Sequence, residues 1–277
     1  MTERIASQVT SMHNVVMLGL LLGAGLSGSI GGSSASVSDT LAQRVHGGRI
    51  VAEAAPTQPA PPATFNAKVD AYYDQLRTKL RWLPVRFAGD VLHTPDAQSR
   101  LLLVQSAAHR AGLDKVGLSY ADVYGIINAE TSWIPRMGAS KDGTPNLGIA
   151  QFEPATARAV GLTDPLDPVQ AVHAAALHLK DAARWSSRRI ANLKLTPEEH
   201  ATKLREGVSI YYNLSSKGRS TWNGLNTAKL PIETQRHIAN ARVGAREAAE
   251  LESQLAQLKS RMNQPALMTA SFQGNGG

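Results

Sequence analysis

The sequence predicts a mainly α-helical protein, and three observations carry that expectation. Apolar residues recur at intervals of three and four along several segments, the spacing that lines up one face of a helix. Most of these segments open on a Ser, Thr or Asp placed to cap a helix. No stretch sustains the strict alternation of a half-buried strand.

Residues 1–36 contain an almost uncharged run over 15–30. Its strongly apolar part ends near Leu26 after about twelve residues, the length of a secretory signal core and short of the roughly 20 that span a bilayer. Arg4 is balanced by Glu3, and Ser33 and Ala35 offer a weakly specified small-residue cleavage site. An export signal or a retained membrane anchor is the expectation. Gly19 with Gly23, and Ala24 with Gly28, give small-residue spacings of four that leave open a segment that packs against further copies. Residues 37–64 drift from Ser/Gly-rich to Pro/Ala-rich and read as a linker, an extended tether over 52–63.

Residues 65–117 read as an N-terminal helical extension. Val69, Tyr72, Tyr73, Leu76, Leu80 and Leu83 share a face, predicting a helix over 65–83 that Pro84 stops. Asp96 caps a second helix that runs to about Arg110 and closes at Gly112.

Residues 118–240 hold the densest pattern. Ser119 with Asp122 opens a helix to Ser132, and the loop 134–147 carries Pro135, Gly138, Asp142-Gly143 and Pro145, with room for a small hairpin. Pro154 starts a short helix to 160, and 164–168 is a turn. A helix over 169–185 turns Val172, Ala176, Leu179 and Ala183 inward, and Arg188 and Arg189 mark a basic connector over 186–195. His173 and His178, five apart, do not share a helix face as metal ligands would. Thr196, Pro197 and Glu199 form a strong helix start leading to Asn213, followed by a Gly/Asn/Ser loop over 216–229. From Glu233 a helix restarts and continues through 241–264, where Ala248, Leu251, Leu255, Leu258 and Met262 make a heptad-like stripe. That stripe either folds back on its own domain or supports self-association. The tail 265–277 carries no periodic signal and is expected to be mobile.

A net charge of +7 over 277 residues suits an anionic partner. The positive charge is dispersed, with no basic stripe interleaved with aromatics, so specific nucleic-acid binding is not expected. The chain has no cysteine, which removes disulfides and thiolate metal sites, and no Gly-rich phosphate loop is present.

Glu130 is the candidate for chemistry. Val123, Ile126 and Ile127 define an inward face, and Glu130 follows at three and four residues from the last two. A carboxyl group aimed at the protein is either paired or poised, because desolvation favours its protonated form. A turn-rich loop follows at once.

The residues around it form four ordered blocks. The first is Glu130, Thr131, Ser132 and Trp133; the second is Gly148, Ile149, Ala150, Gln151, Phe152 and then Pro154 to Ala157. The third is Tyr212–Asn213, and the fourth is Leu230, Pro231, Ile232, Glu233 and Thr234. Together they resemble the catalytic core of the lytic transglycosylases, the lysozyme-like enzymes that cut bacterial peptidoglycan. The likeness covers roughly 118–240, under half of the chain.

The resemblance implies a lysozyme-like domain with helical flanking segments and no cofactor or metal. It implies Glu130 as general acid and then general base, with the C6 hydroxyl of N-acetylmuramic acid attacking its own anomeric carbon to give a 1,6-anhydro product. The substrate's N-acetyl group stands in for a second carboxylate. Ser132 and Gln151 would meet sugar amides or Glu130, Tyr212 would hydrogen-bond the acid, and Asn213 would position backbone or ligand. Phe152 and Trp133 would build the apolar wall, and Glu233 belongs to the last matched block.

Three departures stand out. Glu153 replaces an apolar residue, Leu214–Ser215 replaces Ala-Gly, and Gln235 replaces an Arg. Glu153, and separately the loop residue Asp142, are candidates for a second acid, which would suit a hydrolytic lysozyme on the same fold. A catalytically weak wall-binding component of a virion or secretion apparatus is the reading from another class. The expected partners are peptidoglycan, a membrane and an envelope, virion or secretion assembly. The expected place is the periplasm or cell envelope, membrane-associated, or a phage virion.

Overall fold

A computed structural model describes residues 63–140 and 142–263. The apolar run over 15–30, most of the Pro/Ala tether and the tail from 264 onward lie outside the described residues. Among the described residues no helix is long and apolar enough to cross a membrane.

Among the described residues, eight helices and two small antiparallel hairpins make up the fold, so the mainly α expectation holds. In order they are α1 (Ala63–Arg77), β1 (Trp82–Phe87), β2 (Asp90–Pro95), α2 (Ala97–Ala111), α3 (Tyr120–Thr131), β3 (Arg136–Ala139) and β4 (Pro145–Gly148). Then come α4 (Pro154–Ala159), α5 (Pro168–Ile190), α6 (Pro197–Asn213), α7 (Ser216–Ser220) and α8 (Ile232–Asn263). Single 3₁₀ turns sit at Leu113–Val116 and Thr227–Lys229.

The caps behave as local chemistry dictates. Asp96 accepts from the Ser99 N–H at 2.7 Å and opens α2, while Gly112, at φ 65°, closes it. Ser119 with Asp122, and Thr196 with Glu199, form reciprocal capping boxes on α3 and α6. The loop after α3 contains the small hairpin β3–β4, with Arg136 opposite Gly148.

Three expectations need correction, the briefest being the loop expected over 216–229, which instead holds α7, opened by Ser215 accepting from the Gly218 N–H, and a 3₁₀ turn. The first helix ends at Arg77, and residues 82–95 form the hairpin β1–β2. Its turn residues Ala88 and Gly89 both have positive φ, 50° and 94°, the twist a tight hairpin requires. Leu76 and Leu80 still reach the core, but Leu83 is 49% exposed on the strand. Pro84 is tolerated because a two-stranded ribbon leaves strand edges unpaired. The expected connector over 186–195 is shorter, because α5 runs on to Ile190 and buries Ser186 against α6, where its hydroxyl donates to the Leu204 carbonyl at 3.0 Å.

Helix α3 occupies the centre. Val123, Tyr124, Ile126 and Ile127 are buried, with α2, α5 and α8 packed around them. Six buried alanines on α5 (Ala171, Ala174, Ala175, Ala176, Ala182, Ala183) let its neighbours approach closely. α8 runs unbroken through residue 240, and its buried Thr234, His237, Ile238, Gly244 and Ala248 lie along one side. The stripe is partly buried at Leu251 and Leu255 and open at Leu258 and Met262, 53% and 82% exposed. Its first half therefore packs on its own domain.

Candidate active site at the end of helix α3

Glu130 sits in the last turn of α3, one residue before the chain reverses. Ser132 and Trp133 both adopt left-handed backbone, φ 53° and 66°, and this pair of residues turns the chain towards β3. Two hydroxyls hold the reversal: Thr131 Oγ1 donates to the Ile149 carbonyl at 2.8 Å, and Thr94 Oγ1 donates to the Trp133 carbonyl at 2.6 Å. Trp133 is fully buried against Tyr124, ring centroids 4.8 Å apart, and its Nε1 has no partner among the described residues. It is a core residue.

The Glu130 side chain stays 16% exposed, while one oxygen is tied down from within. Oε1 lies 2.8 Å from Nε2 of His237 on α8, and Nδ1 of that ring lies 2.6 Å from Ser209 Oγ on α6. His237 and Ser209 are 6% and 2% exposed. Three helices thus converge on one carboxyl group. Ser209, His237 and Glu130 are the residue types of a nucleophilic triad, but a hydroxyl this buried in mid-helix has no route to a substrate. The exposed end of the chain is the carboxyl group.

Arg136 closes the other side. Its Nη2 donates to the Glu130 carbonyl at 2.8 Å, setting a guanidinium at the negative end of α3. Phe87 of the β1–β2 hairpin covers it, with the guanidinium carbon 5.3 Å from the ring centroid. Burial lowers the pKa of Arg136, and the negative charge of Glu130 partly restores it.

Several expected residues gather here in other roles. The Tyr212 hydroxyl donates to the Ala150 carbonyl at 2.9 Å and does not bond the acid. Burial, and then the charge of Glu130, push its phenol well above the ordinary range, so it stays a neutral donor. Gln151 stands in left-handed backbone, φ 51°, and its Nε2 donates to the carbonyls of Arg136 and Gly148, 2.8 Å each. It staples the base of β3–β4 and does not offer its amide nitrogen to a sugar. A Cβ at Gly138 would lie 2.6 Å from Gln151 Oε1, so a larger residue there would push on this staple. Phe152 is buried, with the Tyr212 and His178 rings each 6.1 Å away, as an apolar wall requires.

Asn213 Oδ1 accepts from Thr234 Oγ1 at 2.9 Å, joining the end of α6 to the start of α8. Ser132 is exposed, and its hydroxyl has no hydrogen bond among the described residues. Glu233 is exposed in the first turn of α8, also without a partner among them, and does not join the cluster.

Neither candidate second acid engages Glu130. Asp142 is exposed at the tip of β3–β4, where the Thr144 N–H donates to it at 3.0 Å and holds its carboxyl below the usual range. Glu153 accepts from Ser140 Oγ at 2.6 Å and faces that hairpin. Its neighbour is a hydroxyl, not a second carboxylate.

The sequence reading missed Arg136, Ser209 and His237. His237 did leave a signal, a polar residue on the inward stripe with Thr234, Ile238 and Ala241. What results is one mostly buried carboxyl group, with one oxygen fixed and the other without a partner among the described residues, beside a neutral phenol and a guanidinium, a set suited to acid-base chemistry. No protein-family model matches this chain, and no curated protein sequence matches it.

Proposed function

We propose that this protein is a peptidoglycan lytic transglycosylase in which Glu130 alone serves as acid and base. The observation that carries the reading is a single carboxyl group, 16% exposed, anchored through one oxygen by a buried imidazole and met by no second carboxylate among the described residues. A reaction that needs only one acid fits that arrangement, and the four sequence blocks around Glu130 supply the substrate class.

In this reading Glu130 donates its proton to the glycosidic oxygen as the bond to the anomeric carbon breaks, and N-acetylglucosamine leaves with a free hydroxyl. The C6 hydroxyl oxygen of the muramic acid residue then bonds to that carbon and gives its proton to the Glu130 carboxylate. The acid is regenerated without consuming water. Phe152 and the Tyr212 ring keep one flank apolar, which strengthens proton transfer by excluding solvent. The Ser132 hydroxyl is left to meet the sugar amide. The net positive charge favours approach to an anionic wall polymer.

Mass spectrometry of products from purified peptidoglycan tests this. The expected result is muropeptides about 18 Da lighter than their hydrolytic counterparts, absent with Glu130→Gln. Hydrated products would move the assignment to hydrolysis, and no products from the wild type would overturn the enzymatic reading.

A further inference from the structure

We propose that His237, locked by Ser209, is a positioning residue that decides which oxygen of Glu130 carries the reacting proton. The inference rests on the reading of Glu130 as the acid.

An ionised carboxylate only accepts hydrogen bonds, so across the 2.8 Å contact the hydrogen belongs to Nε2 of His237. A neutral ring then has its lone pair on Nδ1, 2.6 Å from a serine hydroxyl that can donate to it. Ser209 therefore selects the Nε2–H tautomer. With Oε1 occupied, the proton that Glu130 gains and loses belongs on Oε2. The contact also survives protonation, because Oε1 of the neutral acid is a carbonyl oxygen and still accepts. One hydrogen bond thus serves both halves of the cycle and keeps the side chain in one rotamer, which reduces the ordering left to be done at the transition state.

The relay is drier than the group it serves. Ser209 and His237 are 2% and 6% exposed, against 16% for the Glu130 side chain. Water can reach the carboxyl group while the imidazole stays held from behind. The charged or titratable neighbours around the acid are Arg136, which bonds its backbone carbonyl, and Tyr212, which is turned to Ala150. Neither contacts the carboxyl oxygens, so orientation falls to His237.

The placement of the ring is itself over-determined. Thr234, one helical turn earlier on α8, is tied to Asn213 at 2.9 Å, and beyond His237 the glycines Gly125 and Gly244 let α8 lie close against α3. These contacts fix the helix that carries the ring, and Ser209 fixes the ring on it.

The test uses full-length protein. Nitrogen-15 NMR of the histidine rings should find His237 with its proton on Nε2 at neutral pH, and Ser209→Ala should weaken that preference. His237→Leu should lower kcat about 100-fold with KM within about threefold, and His237→Gln, which keeps a donor at the same reach, should recover to within about tenfold of wild type. Ser209→Ala should cost about fivefold in kcat. Leu and Gln variants of equal activity, or an Nδ1–H tautomer in the wild type, would overturn the inference. If the wild type yields no product, the transglycosylase reading fails, and the tautomer alone then supports or overturns the relay.

Discussion

Gly125 and Gly244 face each other where α3 and α8 cross. A Cβ on Gly244 would come within 3.0 Å of the Gly125 Cα and 2.6 Å of the Asn128 Cβ, and a Cβ on Gly125 would come within 2.3 Å of the Ala241 carbonyl oxygen. This crossing sets the distance between the helix that carries Glu130 and the helix that carries His237. Replacing either glycine with alanine should therefore cost about 1–3 kcal/mol of stability by overpacking, and should lower turnover more than the stability loss explains. Denaturant unfolding together with glycan cleavage measures both. A Gly125→Ala protein with normal turnover would separate the crossing from the site.

Gln151 makes a second prediction sharp because its partners are both carbonyls. Gln151→Glu keeps the size and replaces two donated hydrogen bonds with repulsion at the Arg136 and Gly148 oxygens. A cost of about 1–3 kcal/mol is expected, with lower turnover as the base of the β3–β4 hairpin, and Arg136 with it, loosens. An unfolding midpoint and rate equal to wild type would show that the staple does not hold the site.

Local signals were legible in the sequence, and contacts between distant segments mostly were not. Ser119 with Asp122 and Thr196 with Glu199 announce their helices because both partners lie within three residues. Glu130 was readable because its face is set by Val123, Ile126 and Ile127 just before it. The β1–β2 hairpin was hidden by Leu76, Leu80 and Leu83, whose helical spacing runs on past the true helix end, and by a turn of Ala88–Gly89 without the usual Asn-Gly. The Tyr212 hydroxyl went to a backbone carbonyl, a partner no list of side chains contains. His237 lies 107 positions from Glu130, and only the packing of α8 on α3 brings them together.

The two bystander acids give a discriminating pair. Asp142 is held at a hairpin tip by Thr144, and Glu153 is engaged by Ser140. With one working acid, Asp142→Asn and Glu153→Gln should each keep turnover within about threefold, while Glu130→Gln removes it. A loss of about 100-fold in either bystander would identify a second catalytic carboxylate and a lysozyme-type reaction.

Acid should destabilise this protein through two buried imidazoles that do not bond the Glu130 carboxyl group. His173 Nδ1 is 2.8 Å from the Val169 carbonyl, so that nitrogen carries the hydrogen, and Nε2 accepts from Ser106 Oγ at 2.8 Å. Burial brings its pKa down from 6.5 to about 4, and burial with the charge of Arg219 does the same to His178. Between about pH 6.5 and 4 the unfolded chain binds protons that the folded chain refuses, so this stability is complete above about pH 6.5 and is lost as the pH falls. From pH 7 to 5 each imidazole should remove about 2 kcal/mol, a range in which ordinary carboxylates change little. Urea unfolding across that range should show the decline, and His173→Gln should flatten it by about half. A stability that stays level from pH 7 to 5 would mean these rings accept protons without unfolding, and the chain from Tyr72 through Ser106 to His173 would then not be the rigid seam between α1, α2 and α5 that its hydrogen bonds describe.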